Sequence, residues 1–411
     1  MQLKFDESGL LKHGIIMFVS LIVARFFGYL FQIYVARSLG PEEYGVFGSL
    51  FSLFLILTVP TGTIQTVISR FTSEYKVKHD PELINSLLSI SSKKMSFFGI
   101  MACGIMIIFS VPLSRFLHIG SLWPVIIIGI SVFWSFILPI PQGILQGLQK
   151  FNWFGTFVIL QTLSRFIMAI LFFSFGFGLN GILASFSISP LFLLPIYFMP
   201  LHDIIKYKAK KINLNKKQIY NYSYSILIFT SISLLFQQVN ILFVKHFFSS
   251  EQTGIYLVAL QIGMIILYLT PAITTSMFPK VSDLDESKER SKHIVYQSLL
   301  YVGLFVIVFV TFCFLFDGEI TLLLFGQDYF ESSKLLPLLS LAMSFLSLGL
   351  VMFSYLVAVK KFNFLKIISI VLVFHVCLLI LFNSTIFQTI NILLFTNLFL
   401  FLIGLIYIYR S

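Results

Sequence analysis

The sequence predicts an all-α integral membrane protein, with about twelve transmembrane helices in two parallel six-helix lobes around a central cavity. Three features lead there: hydropathy, the placement of basic residues and an internal repeat. Of the 411 residues, 58% are hydrophobic, 11% are charged and 49 are Phe, and the mean hydropathy is +0.95. So much apolar surface excludes a soluble domain.

Twelve segments are apolar enough to cross a ~30 Å hydrocarbon core, which takes ~20 helical residues. They run near 14–36, 44–66, 95–113, 123–146, 153–176, 181–200, 220–244, 254–276, 295–316, 335–357, 367–383 and 386–408. The third and eleventh are short. The first is too long for a signal peptide and has no small-residue cleavage site, so it reads as a retained helix. Pro60, Pro139, Pro141, Pro190, Pro195 and Pro271 interrupt spans and mark expected bends.

The net charge of +11 is topological and does not indicate nucleic-acid binding. With the N-terminus in the cytoplasm, 22 of the 28 Lys and Arg fall on the inner side, including Arg70 to Lys94, Lys206 to Lys217 and Lys280 to Lys292. Four lie outside: Arg37, Arg115, Lys245 and Lys334. This is the positive-inside asymmetry, and it predicts a multi-pass protein of the cytoplasmic membrane with both termini cytoplasmic.

A repeat supports two lobes. Tyr34–Phe47 aligns without gaps to Phe243–Tyr256, with Val35/Val244, Glu42/Glu251 and Gly45/Gly254 identical. Lys150-Phe151-Asn152 recurs as Lys361-Phe362-Asn363 at nearly the same offset. Six spans per half return the chain to the same side, so the halves are parallel repeats. The predicted division is a lobe over 1–204, a solvated cytoplasmic linker over 205–218 and a lobe over 219–411.

Arg25 and Arg165 are the charged residues in the middle of apolar spans, and no acidic residue shares their depth. A guanidinium in hydrocarbon is costly and usually faces a partner or a wet cavity. Without an acid, the simplest occupant of such a cavity is an anion such as a phosphate, which guanidinium forks hold bidentately. Arg25, Tyr29 and Gln32 form one polar stripe in the first helix, and Gln161 precedes Arg165 by one turn in the fifth. Counted from Lys12 and Lys150, both arginines lie about 20 Å from the inner surface, a matched depth suited to a two-armed clamp.

The seventh helix carries Thr230, Ser233, Gln237 and Asn240 along an uncharged stripe, which suits either sugar hydroxyls or helix–helix hydrogen bonds. Arg37, Lys245 and His246 lie at outer helix ends, as outer-gate cations or as complements to helix dipoles. His375, mid-span, fits a hydrogen-bonded packing role better than a proton carrier.

No ATP-binding motif, metal-spaced Cys/His cluster or nucleophile–base pattern occurs in the sequence, so no cofactor, no metal and no catalytic residue is expected. Cys103, Cys313 and Cys377 lie within spans and read as packing residues.

The stretches ARSLGPEEYGVFGSLFS (36–52), VISRFTSEY (67–75) and QGLQKFNWFG (146–155) resemble polysaccharide-biosynthesis flippases of the multidrug/oligosaccharidyl-lipid/polysaccharide (MOP) exporter superfamily. The resemblance covers the whole twelve-span plan and implies a MATE-like fold. It implies a non-enzymatic protein that moves a polyprenyl (pyro)phosphate-linked oligosaccharide from the inner to the outer leaflet by alternating access. It further implies a cationic cavity, which Arg25 matches, and it suggests a monomer working with the polymerase and glycosyltransferases of its pathway. A cation-coupled drug antiporter of the same superfamily would place carboxylates in the membrane, and here all 17 acidic residues lie outside the spans or at their edges. A lipid-linked peptidoglycan-precursor flippase would have two more spans. A membrane glycosyltransferase or polymerase would show a larger outer loop than 317–334.

Overall fold

The structure, a computed structural model, describes residues 7–208, 210, 216–268 and 288–410. Every regular element among them is helical. The first half holds α1 (Glu7–Leu57), α2 (Pro60–Val77), α3 (Pro81–Ile108), α4 (Ser110–Phe116), α5 (Trp123–Ile137), α6 (Pro139–Gly147), α7 (Phe151–Ser174), α8 (Gly178–Phe198) and the short α9 (His202–Ile205). The second half holds α10 (Lys216–Phe247), α11 (Ser250–Gly263), α12 (Lys288–Leu315), α13 (Asp317–Phe325), α14 (Leu336–Ala358), α15 (Phe364–Leu381) and α16 (Ile386–Arg410).

Among the described residues, eleven helical stretches are long and apolar enough to cross a membrane, and the first, Ile15–Val77, runs to 63 residues. A straight helix of that length would extend about 95 Å, three times the hydrocarbon core. It therefore contains two crossings, which brings the number of spanning segments to the expected twelve. Gly40 makes the break between them, with φ 71° and ψ 173°, just before Pro41. The left-handed φ is one that glycine adopts without strain, and proline cannot extend the preceding helix. The expected span 254–276 is helical to Gly263 and continues as a 3-10 helix to Tyr268. Its remainder, with Pro271 and most of the basic stretch 280–292, lies outside the described residues.

The chain forms two compact units, one of Met1–Ser38 with Leu53–Leu227 and the other of Leu39–Ser52 with Ile228–Ser411. This division differs from the sequence reading, which left 39–52 with the first lobe. Those residues pack on α11 instead. Tyr44, Phe47 and Leu50 are completely buried, and Tyr44 meets Tyr329 edge-on at 6.0 Å. The segment belongs to the second unit because its apolar face and its small residues fit α11, a helix buried along nearly its whole length.

In the first unit, α2 and α6 approach closely at two glycines four residues apart. A Cβ on Gly143 would fall 2.7 Å from the Gln65 carbonyl, and one on Gly147 would fall 2.6 Å from Thr72 Cβ. Small residues at this spacing let membrane helices meet without polar anchors. Gln65 then donates to Gln146 (3.2 Å), Ser73 to the Gly147 carbonyl and Lys76 to Gln149. The core beside this joint gathers Ile68, Tyr75, Ile144, Phe157 and Tyr197. Thus the stretches 67–75 and 146–155 form a structural joint.

The expected solvated linker is anchored at its start. Asn85 donates to the Tyr207 carbonyl, the Lys210 amide donates to Ser86, and Lys210 pairs with Glu82. The hydrogen bond and charge of Glu82, with Asp80 beside it, hold the Lys210 ammonium above its usual pKa range. Of the rest of the linker, 209 and 211–215 lie outside the described residues.

Candidate functional site

Two membrane helices of the first unit break at proline, and a pocket lies at the breaks. After α1, Thr58 and Val59 turn the chain before Pro60 opens α2; between α5 and α6, Leu138 precedes Pro139. Proline gives no N–H and frees the carbonyl four residues earlier. Within a membrane, such freed carbonyls are tolerated only against protein or a wet cavity. Thr58 and Thr61 turn their hydroxyls back onto the carbonyls of Leu55 and Thr58.

The pocket is about 270 Å³ and draws polar side chains from three spans: Thr58, Thr61 and Gln65; Ser131, Ser135 and Gln142; Gln161 and Arg165; Phe186 and Pro190 close it from a fourth, α8. Gln142 donates to Gln161 (3.1 Å) and contacts the Tyr197 hydroxyl (3.4 Å), and Ser131 shares a hydrogen bond with Ser187 (2.7 Å). Among the lining residues Arg165 carries the charge, and none is acidic. Its guanidinium carbon lies 4.3 Å from the centroid of the Phe186 ring, a cation–π contact. Its Nε is buried and meets no acceptor among the described residues. A fixed cation with a buried donor, ringed by neutral amides and hydroxyls, is chemically suited to a hydrated anion bearing hydroxyl groups.

Arg165 and Gln161 therefore line one pocket, whereas Arg25, Tyr29 and Gln32 do not belong to its lining. They lie on α1, where Arg25 and Tyr29 are half-buried and Gln32 is buried. Helices α1 and α7 run parallel. A Cβ on Gly155 would meet Ser20 Cβ at 2.9 Å, Gly28 faces Thr162, and Phe31 meets Phe166 edge-on. That register sets Arg25 level with about residue 160, so Arg165 lies about five residues, or roughly 7.5 Å, further along. The matched depth inferred from the sequence is thus not what packing produces. Counting from Lys12 and Lys150 assumed that both helices start at one height, but Ser20 opposite Gly155 starts α7 higher. At 100° per residue, both arginines still project from the same flank of the α1–α7 pair.

The stripe on α10 separates in the structure. Ser233 bonds to the Phe229 carbonyl and Gln237 to the Ser233 carbonyl, both within the helix, and Thr230 is exposed. Asn240 is 1% exposed and faces His375 Nε2 at 3.2 Å, while His375 Nδ1 meets Thr396 at 2.9 Å. For Asn240 the helix-bonding alternative holds, and a sugar contact is closed off by burial. His375 is the packing histidine expected, with both ring nitrogens engaged. Among the outer cations, Arg37 is exposed and His246 half-buried, but Lys245 is fully buried, so it is not an open docking cation. The charge of Glu42, in the same unit, acts on it.

Sequence reasoning missed Gln65, Gln142, Ser131, Ser135, Thr58, Thr61 and Phe186 as pocket residues. For Thr58, Thr61, Gln65, Ser135 and Gln142 the available signal was an amide or hydroxyl within a turn or two of a mid-span proline; Ser131 and Phe186 carried none.

Residues 34–334 match the family described as polysaccharide biosynthesis protein. The chain belongs to that family. It is 24% identical over 373 residues to the capsular polysaccharide biosynthesis protein CapF of Staphylococcus aureus, covering 89% of each chain. The fold is that of MOP-superfamily transporters. An inward-facing multidrug resistance MATE family transporter of that superfamily superposes with a TM-score of 0.78 at 15% identity, over 96% of this chain and 97% of the other. A MOP superfamily transporter from Pyrococcus furiosus, described as having a binding pocket of reverse polarity, superposes with a TM-score of 0.67 at 15% identity, over 98% and 95%. This polysaccharide biosynthesis family member is accordingly a multi-pass membrane protein with a transporter fold.

Proposed function

We propose that the protein is a flippase that carries a polyprenyl (pyro)phosphate-linked oligosaccharide from the inner to the outer leaflet by alternating access, without enzymatic chemistry. The observation that carries this reading is the pocket at Arg165: one cation with a buried Nε donor, neutral hydrogen-bonding neighbours and no carboxylate among its described lining. A cation-binding antiporter pocket would need the opposite charge. Membership of the polysaccharide biosynthesis family supports a glycan cargo, and the likeness to CapF supports a cell-surface polysaccharide such as a capsule. Arg165 would hold the phosphate, Gln65, Gln142 and Gln161 the first sugar, and Arg25 would meet the anion at a shallower point of its path. The lipid tail would stay in the bilayer, and a monomer would suffice, handing its cargo to the polymerase of the pathway.

Flipping of a fluorescent polyprenyl-pyrophosphate glycan in proteoliposomes tests this directly. Protein-dependent movement that Arg165→Ala suppresses is expected; movement of cationic dyes in its place would refute the reading. The proposed orientation, with both termini cytoplasmic, has its own test in a cysteine-free background. Cysteine at His79, in the α2–α3 turn, should resist impermeant thiol reagents in intact cells, and cysteine at Thr385, between α15 and α16, should react.

A further inference from the structure

The second unit holds a groove of about 460 Å³ between the start of α15 and the end of α16, closed at one side by the end of α14. Its walls are Leu356, Ile367, Ile403 and Ile406, and its polar rim is Lys361, Asn363 and Tyr407. The apolar surface continues along both helices beyond the groove, through Ile370 and Leu402, which are 67% and 45% exposed. Lys361 on that rim is exposed, as are its sequence neighbours Lys360 and Lys366. The chain has no acidic residue after Glu331, so the stretch that builds the groove carries net positive charge.

We propose that this groove binds a resident anionic phospholipid, with the phosphate at Lys361, Asn363 and Tyr407 and an acyl chain along Ile367 and Ile406. The argument is charge complementarity joined to shape. An aliphatic trough that opens toward exposed apolar surface takes hydrocarbon, and a lysine, an amide and a phenol at one end take a phosphate. Juxtamembrane lysines attract anionic headgroups, and they do so in the leaflet where such lysines cluster. The groove lies wholly in the second unit, whereas the pocket at Arg165 lies in the first, so this inference stands whether or not the flippase reading does.

Native mass spectrometry of the full-length protein in detergent, with phosphatidylglycerol or phosphatidylcholine of identical acyl chains, tests it. Wild type should retain phosphatidylglycerol in preference to phosphatidylcholine. Lys361→Gln should weaken the phosphatidylglycerol adduct about fivefold, the effect of one lysine near a headgroup. Ile406→Trp, at a half-exposed position, should fill the groove and weaken both lipids. Lys94→Gln, an equal charge change on the first unit, should alter neither. Equal retention of the two lipids, or an equal loss in Lys94→Gln, would overturn the proposal. So would displacement of the adduct by polyprenyl phosphate at equimolar concentration, which would give the groove to the transported lipid.

Discussion

Gly45 and Gly254 occupy matching positions of the internal repeat, and they face each other: a Cβ on Gly45 would fall 3.0 Å from the Gly254 amide nitrogen. A Cβ on Gly254 would fall 3.0 Å from Pro41 Cα. The two copies of the repeated motif thus pack backbone to backbone within the second unit, and neither position has room for a methyl group. Ser249 caps α11 at this junction through a capping box with Gln252. Gly45→Ala and Gly254→Ala should each cost about 1–3 kcal/mol through overpacking. A thermal-shift assay in detergent should show a lowered Tm for both, and an unchanged Tm would show that the contact yields freely.

That contact shows what the sequence could and could not disclose. Hydropathy fixes the spans because every apolar stretch must be long enough to cross, so eleven helical stretches among the described residues, one doubled at Gly40, answer to the twelve segments expected. The repeat is legible because Glu42/Glu251 and Gly45/Gly254 keep their identities. Its packing is not, since a periodic pattern says which residues match and is silent on which touch. The pocket was half legible for a similar reason. Arg165 stands out as a charge in hydrocarbon, whereas Gln65 and Gln142 are ordinary until Pro60 and Pro139 break their helices beside it. Depth was misjudged because the height of a helix is set by contacts such as Ser20 against Gly155, which lysine positions do not report.

Arg165 rests on Phe186 and directs its charge into a pocket without acid. A charged hydrogen bond to phosphate contributes roughly 1.5–3 kcal/mol, so Arg165→Ala should reduce flipping about ten- to hundredfold while leaving the protein inserted. Arg165→Lys should recover part of this, because an ammonium keeps the charge and loses the planar fork. Phe186→Leu should give a smaller loss, since it removes the ring beneath the guanidinium without removing the cation. Arg25→Ala should also reduce export. If the well-expressed Arg165→Ala variant flips at the wild-type rate, the pocket is not the phosphate site.

His375 links three helices of the second unit through Asn240 and Thr396, and Phe236 lies against its ring at 5.8 Å between centroids. His375→Leu would leave the Asn240 oxygen without its partner, at a cost of about 1–3 kcal/mol. The expected outcome is a lower Tm with an unchanged pH profile of flipping. A shifted profile at wild-type stability would instead make His375 a proton site.

The driving force follows from the same absences of charge. The described residues lining the pocket include no carboxylate and His375 is engaged at both nitrogens, so neither the pocket nor His375 offers a site for a coupling cation. The proposed cargo is itself an anion, and a cell interior at negative potential expels it. One elementary charge crossing the whole field gains about 2.3 kcal/mol per 100 mV, so a pyrophosphate with about two charges gains roughly 4–5 kcal/mol. That biases distribution by more than about a thousandfold. If Arg165 and Arg25 recross the field when the empty carrier resets, part of the gain is offset. Flipping in proteoliposomes should therefore rise with an imposed inside-negative potential across inward-oriented carriers, and should need neither a sodium nor a proton gradient. Transport indifferent to potential, and abolished when either gradient is collapsed, would reject this account and direct attention to the amide cluster of Gln65, Gln142 and Gln161.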